Sequence, residues 1–137
     1  MKLEQQVCSL ELAQKLKELG VKQESEFHWR VTEPNHESAL PGGPFLLDKS
    51  YLPYDRKMVS AFSAFTVAEL GEMLPTFCEL EGTNRVFNCW KEPQGWQCAY
   101  CPHSGVGDWG LKEAKTEADA RAKMLIYLLE NKLISVE

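Results

Sequence analysis

The longest apolar run in the sequence is the segment 124–129, Met-Leu-Ile-Tyr-Leu-Leu, which is bounded by charged residues on both sides. The hydroxyl of Thr116, followed a turn later by the carboxylate of Asp119, is typical of a helix N-terminus. These signals predict a helix from Thr116 to about Asn131. Its broad apolar stripe comprises Ala118, Ala122, Leu125, Ile126, Leu129 and Leu133. A stripe this wide is packed deeply or partly meets a partner, such as a second copy of the chain, and burial is the favoured interpretation.

Two further helices are predicted upstream. Leucine and alanine recur at helical spacing between Ser9 and Gly20. We expect the Ser9 side chain to cap this helix by accepting an amide hydrogen, and Gly20 to close it in the left-handed conformation. Thr66 and Glu69 form a capping-box pattern, which predicts a short helix that ends before Pro75.

Strand patterns occupy the middle of the chain. Residues 26–31 alternate between apolar and polar, with His28 opposite the apolar face. Residues 45–54 predict an irregular loop or a short strand, and residues 57–65 predict a strand. Residues 104–110 form a glycine-rich segment, which predicts a loop.

A hairpin is predicted from residues 86–91 and 96–101, around the turn Glu92-Pro93-Gln94-Gly95. Its proline and glycine suit a type I turn, and Trp90 and Trp96 flank the turn and are placed to pair across it. Helices at both ends with strands between them predict an α+β fold. We expect a mainly antiparallel sheet with a central hairpin, packed by an N-terminal and a C-terminal helix.

The length and the charge of the chain limit the number of domains and the kinds of partner that we expect. A chain of 137 residues predicts one domain spanning residues 1–137, with enough buried surface to fold without a metal or a disulfide. The net charge of -5, with basic residues scattered among acidic ones, disfavours a nucleic-acid partner. No apolar leader follows Met1, and no segment approaches the roughly 20 apolar residues of a membrane span. We therefore expect a cytoplasmic protein without membrane contact, whose five cysteines are free thiols.

Three segments carry a resemblance to known proteins. They are Lys2–Ser25, which includes Lys-Leu-Glu-Gln-Gln-Val and Leu-Lys-Glu-Leu-Gly-Val; Ser63–Pro75, which includes Phe-Thr-Val-Ala-Glu-Leu-Gly-Glu-Met-Leu; and Thr116–Leu133. Together they resemble a group of small uncharacterised proteins of bacteriophages, prophages and bacterial genomes. The resemblance covers about half of the chain and implies a phage-related setting, but it implies no activity and no catalytic residue. The segment 32–54 and the cysteine-bearing hairpin match poorly.

The cysteines suggest one specific kind of site, a zinc site. Cys98 and Cys101 have the spacing that lets two thiolates reach one metal, His103 follows closely, and Cys89 approaches across the predicted hairpin. Against this interpretation, the sequence lacks a second clear ligand pair. On a strand, moreover, Cys98 and Cys101 point to opposite faces unless a turn intervenes at Pro102. Simple buried thiols are the favoured interpretation.

Other chemistry has weaker support. The Cys-x-x-Cys segment is followed by Pro102 and a glycine loop rather than by a helix, whose N-terminus would lower the pKa of the first thiol, and this disfavours thioredoxin-like redox chemistry. Residues 105–110, Gly-Val-Gly-Asp-Trp-Gly, match the dinucleotide fingerprint in letters, but no second parallel strand follows them. His28 is expected opposite the apolar face of its strand, and His36 in a polar loop. A nucleophilic pair of Cys101 and His103 is conceivable, but no third group can be named that would orient it. The sequence therefore predicts no catalytic residue and no cofactor.

Three hypotheses about function remain. The first is a non-enzymatic, phage- or prophage-related binding protein that acts on a protein partner. The second is an interaction module stabilised by zinc at Cys89, Cys98, Cys101 and His103. The third is a small hydrolase or nuclease, which predicts a cleft with converging polar groups. The four tryptophans are expected to lie mostly in the core, although exposed ones are suited to gripping a peptide.

Overall fold

The computed structural model describes residues 1–32, 44–51, 59–102 and 109–136. Three helices and seven strands are formed by these residues. In chain order they are α1 (Leu10–Glu18), β1 (Phe27–Thr32), β2 (Phe45–Asp48), β3 (Val59–Ser63), α2 (Val67–Met73), β4 (Phe77–Leu80), β5 (Thr83–Glu92), β6 (Gly95–Pro102), β7 (Trp109–Ala114) and α3 (Glu117–Glu130). Short 3-10 turns lie at Leu3–Gln5 and Lys49–Tyr51.

The strands form two antiparallel sheets. One sheet has the order β2-β1-β3, and the other has the order β4-β5-β6-β7. The predicted α+β fold, the antiparallel pairing and the hairpin formed by β5 and β6 are confirmed. A single sheet was expected, whereas the described strands divide into two. None of the helices in the described ranges is long and apolar enough to cross a membrane.

Helix α3 is the centre of the packing. It contacts α1 and α2 on one side and strands β5, β6 and β7 on the other. Seven of its residues are buried: Ala118, Ala120, Ala122, Met124, Leu125, Ile126 and Leu128. Of the predicted stripe, Ala118, Ala122, Leu125 and Ile126 are buried, whereas Leu129 is half-buried and Leu133, beyond the end of the helix, is 37% exposed. Burial is therefore confirmed for the part of the stripe up to Ile126.

The helix ends show which local signals decided the fold. Gly20, at φ +91°, follows α1 and donates its amide hydrogen to Lys17, while the amide of Val21 reaches Leu16. This paired arrangement is a Schellman motif, as the glycine predicted. The capping box of Thr66 and Glu69 is also present at the start of α2.

The expected role of Ser9 is wrong. Ser9 occupies the position before α1, but its side chain makes no capping hydrogen bond. Its backbone amide instead donates to Oδ1 of Asp119 at 2.7 Å. Asp119 belongs to the first turn of α3, where the hydroxyl of Thr116 accepts from its amide. One carboxylate therefore joins the starts of two helices that are far apart in the sequence.

The predicted loop 104–110 is partly wrong, because Trp109 and Gly110 begin strand β7. The register between β6 and β7 shifts at this point, since Cys98 pairs with Lys112 but Tyr100 pairs with Trp109. Gly110 adopts φ +68° there, which is the conformation of a glycine bulge. The bulge turns Trp109 toward α3, where its ring lies edge-on to Tyr127 at 5.2 Å.

Candidate functional site

Cys89 and Cys98 face each other across the β5–β6 hairpin. The Cys98 thiol donates a hydrogen bond to the Cys89 sulfur, with the two Sγ atoms 2.9 Å apart. Both side chains lie on the face of the sheet that packs against α3, together with Tyr100 and Phe87. Cys98 is fully buried, whereas Cys89 is half-buried. The approach of Cys89 across the hairpin, expected from the sequence, is therefore confirmed.

The other two residues of the expected zinc set are not brought to this pair. Cys101 pairs with Val86 and projects from the opposite face of the sheet, as the alternation of a strand requires. His103 and residues 104–108 of the glycine-rich segment lie outside the described residues. Within the described part of the chain, no group of three or more His, Cys, Asp and Glu side chains is placed to hold a metal ion.

The geometry also opposes the two motif-based alternatives. Cys98 and Cys101 lie within strand β6 rather than at the start of a helix, so no helix N-terminus favours their thiolates. The described end of the dinucleotide-like segment, Trp109 and Gly110, belongs to strand β7. The residues that follow the segment therefore form a strand rather than the helix whose amides bind pyrophosphate.

The charge state of the thiol pair is unequal. The hydrogen bond donated by Cys98 lowers the pKa of Cys89, and the positive charge of Arg121 acts in the same direction. The pKa of Cys98 is raised, because Cys98 donates that hydrogen bond and because it is buried. Of the two thiols, Cys89 is therefore the one that ionises first.

Arg121 is held close to this pair by contacts from three elements. On α3, Nε and Nη2 of Arg121 both donate hydrogen bonds to Oε1 of Glu117, at 3.1 and 2.7 Å. Its guanidinium lies 5.4 Å from the centre of the Phe87 ring on β5. On α2, Gly71 leaves room for it, since a Cβ atom at that position would lie 2.7 Å from Nη1. The guanidinium is thus a fixed charge between the helices and the sheet.

The burial of the polar side chain of His28 was not predicted from the sequence. It lies on the face of β1 opposite Trp29, as expected, but it is only 4% exposed. Among the residues that the structure describes, neither ring nitrogen finds a hydrogen-bond partner. Burial lowers the pKa of His28, and the charge of Arg30 lowers it further. His36, which was also considered for catalysis, lies outside the described residues.

A cleft of about 340 Å³ lies between α2, α3 and the C-terminal segment. Glu69 lines this cleft, but its carboxylate accepts hydrogen bonds from the Thr66 amide, the Ser25 hydroxyl and the Glu26 amide. These bonds fix the start of α2 and the entry to β1, so Glu69 has a structural role. Lys22, Glu24, Glu72 and Ser135 also line this cleft, beside apolar side chains of α2, α3 and the C-terminal segment.

The second notable surface is the face of the four-stranded sheet that points away from α3. The strand register places five partly or largely exposed apolar side chains on this face, and we call them the outer patch: Phe77, Val86, Trp90, Cys101 and Leu111. Phe77 is 53% exposed and Leu111 is 44% exposed. Ala99 is fully buried between these side chains in the middle of β6. An antiparallel sheet usually presents polar residues on its solvent face, so the apolar side chains on this face depart from the usual pattern.

The charged side chains that the four strands place on the face of the outer patch are all acidic. Glu79, Glu92 and Glu113 project from the same face of the sheet. Glu92 accepts a hydrogen bond from the indole of Trp90 at 2.8 Å, and Glu113 accepts one from Gln97 at 2.9 Å. The four strands, all of whose residues are described, contribute no lysine or arginine to this face.

Sequence reasoning missed this surface. Trp90 was expected to pair with Trp96 across the turn, but Trp90 pairs with Gln97 and the two indoles lie on opposite faces. The only sequence signal was the alternation in β5, because Phe77 and Leu111 belong to strands β4 and β7, neither of which was predicted. The cysteine pair had a clearer signal, since Cys89 and Cys98 are equally distant from the Pro93-Gln94 turn.

Comparisons of this chain with protein-family models, with curated protein sequences and with solved structures found no match. Roles for its residues therefore come from the geometry described above.

Proposed function

We propose that this protein is a non-enzymatic binding protein and that the outer patch holds a protein partner. The observation that carries this proposal is the group of partly or largely exposed apolar side chains that the described strands place on the sheet face away from α3. Aromatic side chains at the centre of a surface, surrounded by polar groups, are typical of the residues that contribute most to protein association.

The acidic rim indicates the chemistry of the partner. Glu79, Glu92 and Glu113 suit a protein surface that has an apolar side chain at its centre and lysine or arginine around it. The same carboxylates repel a phosphate backbone, so a protein is favoured over a nucleic acid. The resemblance of the terminal segments and of α2 to phage and prophage proteins supports a phage-related process in the cytoplasm.

The proposal predicts that polar substitutions in the outer patch abolish partner capture. The test variant is the double substitution Phe77→Ser with Leu111→Ser, which replaces two exposed apolar side chains and spares the core. The matched control is Leu133→Ser with Val136→Ser, which removes apolar side chains of 37% and 43% exposure from the C-terminal segment. Tagged proteins are used to capture partners from the native host, and circular dichroism checks that each variant is folded.

We expect the wild type and the control variant to capture the same partner and the patch variant to lose it. Binding should also weaken with rising salt, and Glu79→Lys with Glu113→Lys should weaken it at low salt. Capture that survives the patch substitutions unchanged would rule out the outer patch as the binding site. Turnover of a metabolite or a nucleic acid by the purified protein would overturn the non-enzymatic assignment.

A further inference from the structure

We propose that Cys89 and Cys98 form a reversible disulfide on reaction with a small-molecule disulfide such as oxidised glutathione. Cys89 is the attacking thiol and Cys98 is the resolving thiol. This assignment is independent of the outer patch, because both cysteines lie on the opposite face of the sheet.

The hairpin holds the two thiols in position for a cross-strand bond. Glu92 and Gly95 close the two-residue turn, so directly facing pairs alternate from there between hydrogen-bonded and non-hydrogen-bonded positions. Counting from the turn places Cys89 and Cys98 at a non-hydrogen-bonded pair, where Cα atoms are typically about 4.5 Å apart. That separation lies at the short end of the range for disulfides, so bonding requires no change of register. The Sγ atoms are already 2.9 Å apart.

The surroundings give the two thiols different roles. Cys89 is half-buried and can be reached from solvent, whereas Cys98 is fully buried and can be reached only by its neighbour. The Cys98 thiol and Arg121 both stabilise a thiolate on Cys89. A partly accessible thiolate beside a fixed positive charge is the environment of a reactive cysteine.

The reaction proceeds in two exchanges. The Cys89 thiolate attacks one sulfur of oxidised glutathione, which forms a mixed disulfide and releases one glutathione thiolate. The Cys98 sulfur then attacks the Cys89 sulfur, and its proton passes to the departing glutathione sulfur, so the second glutathione leaves as a thiol. In total, two protein thiols are oxidised to one disulfide, and one glutathione disulfide is reduced to two thiols.

The remaining cysteines provide internal controls. Cys8 is fully buried, and burial raises its pKa to about 12, so it does not react in the folded protein. Cys78 is buried and its pKa is also raised by burial. Cys101 is half-buried on the opposite face, where Cys98 is out of reach.

The test treats the reduced full-length protein with oxidised glutathione and locates the products by mass spectrometry. The wild type and Cys101→Ser should both lose two hydrogens and yield a linked peptide pair containing Cys89 and Cys98. Cys98→Ala should stop at a stable glutathione adduct on Cys89, and Cys89→Ala should leave Cys98 unmodified. Arg121→Gln should slow the wild-type reaction several-fold near neutral pH, with the rate recovering as pH rises and the thiolate fraction is restored.

The positions of the modified cysteines in the wild-type protein test the proposal even if a cysteine variant fails to fold. A folded wild type that gains glutathione only at Cys101, while Cys89 and Cys98 stay reduced, would overturn the proposal. An adduct on Cys89 that is never resolved by Cys98 would overturn it as well.

Discussion

At the scale of single residues, His28 is buried, and neither of its ring nitrogens finds a hydrogen-bond partner among the described residues. A buried polar group left unpaired costs about 1–3 kcal/mol of stability. We therefore expect His28→Phe, which keeps a ring of similar size, to raise the free energy of unfolding by about 1 kcal/mol at pH 7. Urea denaturation of the wild type and the variant measures this change. If His28→Phe is less stable than the wild type, the imidazole is favourably solvated in the folded protein.

The same residue predicts a pH dependence. Burial lowers the pKa of His28 in the folded state below its ordinary value of about 6.5, so the unfolded chain binds the proton more readily. The stability that depends on neutral His28 is present above pH 6.5 and is lost as pH falls toward the folded-state pKa. We expect His28→Gln to lose less stability than the wild type between pH 7 and pH 5. Parallel curves for the two proteins would contradict this assignment.

At the scale of elements, Asp119 joins the starts of α1 and α3 through its bond with the Ser9 amide. Asp119→Ala leaves that amide unpaired and removes a negative charge from the first turn of α3, so we expect a loss of about 1–3 kcal/mol. Asp119→Asn retains an oxygen acceptor and should lose less. Denaturation of both variants measures the difference, and equal small losses would show that the bond adds little to stability.

The elements that sequence patterns predicted best are those fixed by local signals. The capping box at Thr66 and the glycine at position 20 act within a few residues. Helix α2 therefore starts, and helix α1 ends, where the sequence predicts. Strand β7 was missed because the left-handed Gly110 interrupts the alternation of its residues. The role of Ser9 was missed because its partner, Asp119, is distant in the sequence.

The candidate site was less predictable than the fold for a similar reason. The thiol pair was foreseeable in part, since the position of one turn sets the register of Cys89 and Cys98. The outer patch required the register of four strands at once, because Phe77 and Leu111 lie on β4 and β7 at the opposite edges of the sheet. Such long-range pairing leaves no contiguous pattern in the sequence.

At the scale of the whole molecule, the two faces of the four-stranded sheet have different roles. One face packs against α3 and shares the core with α1 and α2. The other face carries the outer patch and its acidic side chains, so the proposed binding would take place on the side of the sheet away from α3. The thiol pair lies on the packed face beneath Arg121, which keeps the proposed redox chemistry separate from partner binding.

Site-specific photo-crosslinking tests the central claim, binding through the outer patch, most directly. A photoreactive amino acid placed at Leu111, in the outer patch, is compared with one placed at Leu133, which is exposed to a similar degree elsewhere. We predict that irradiation in the native host links a protein partner to position 111 and not to position 133. A partner linked only from position 133, or linked equally from both positions, would contradict the assignment of the outer patch as the binding surface.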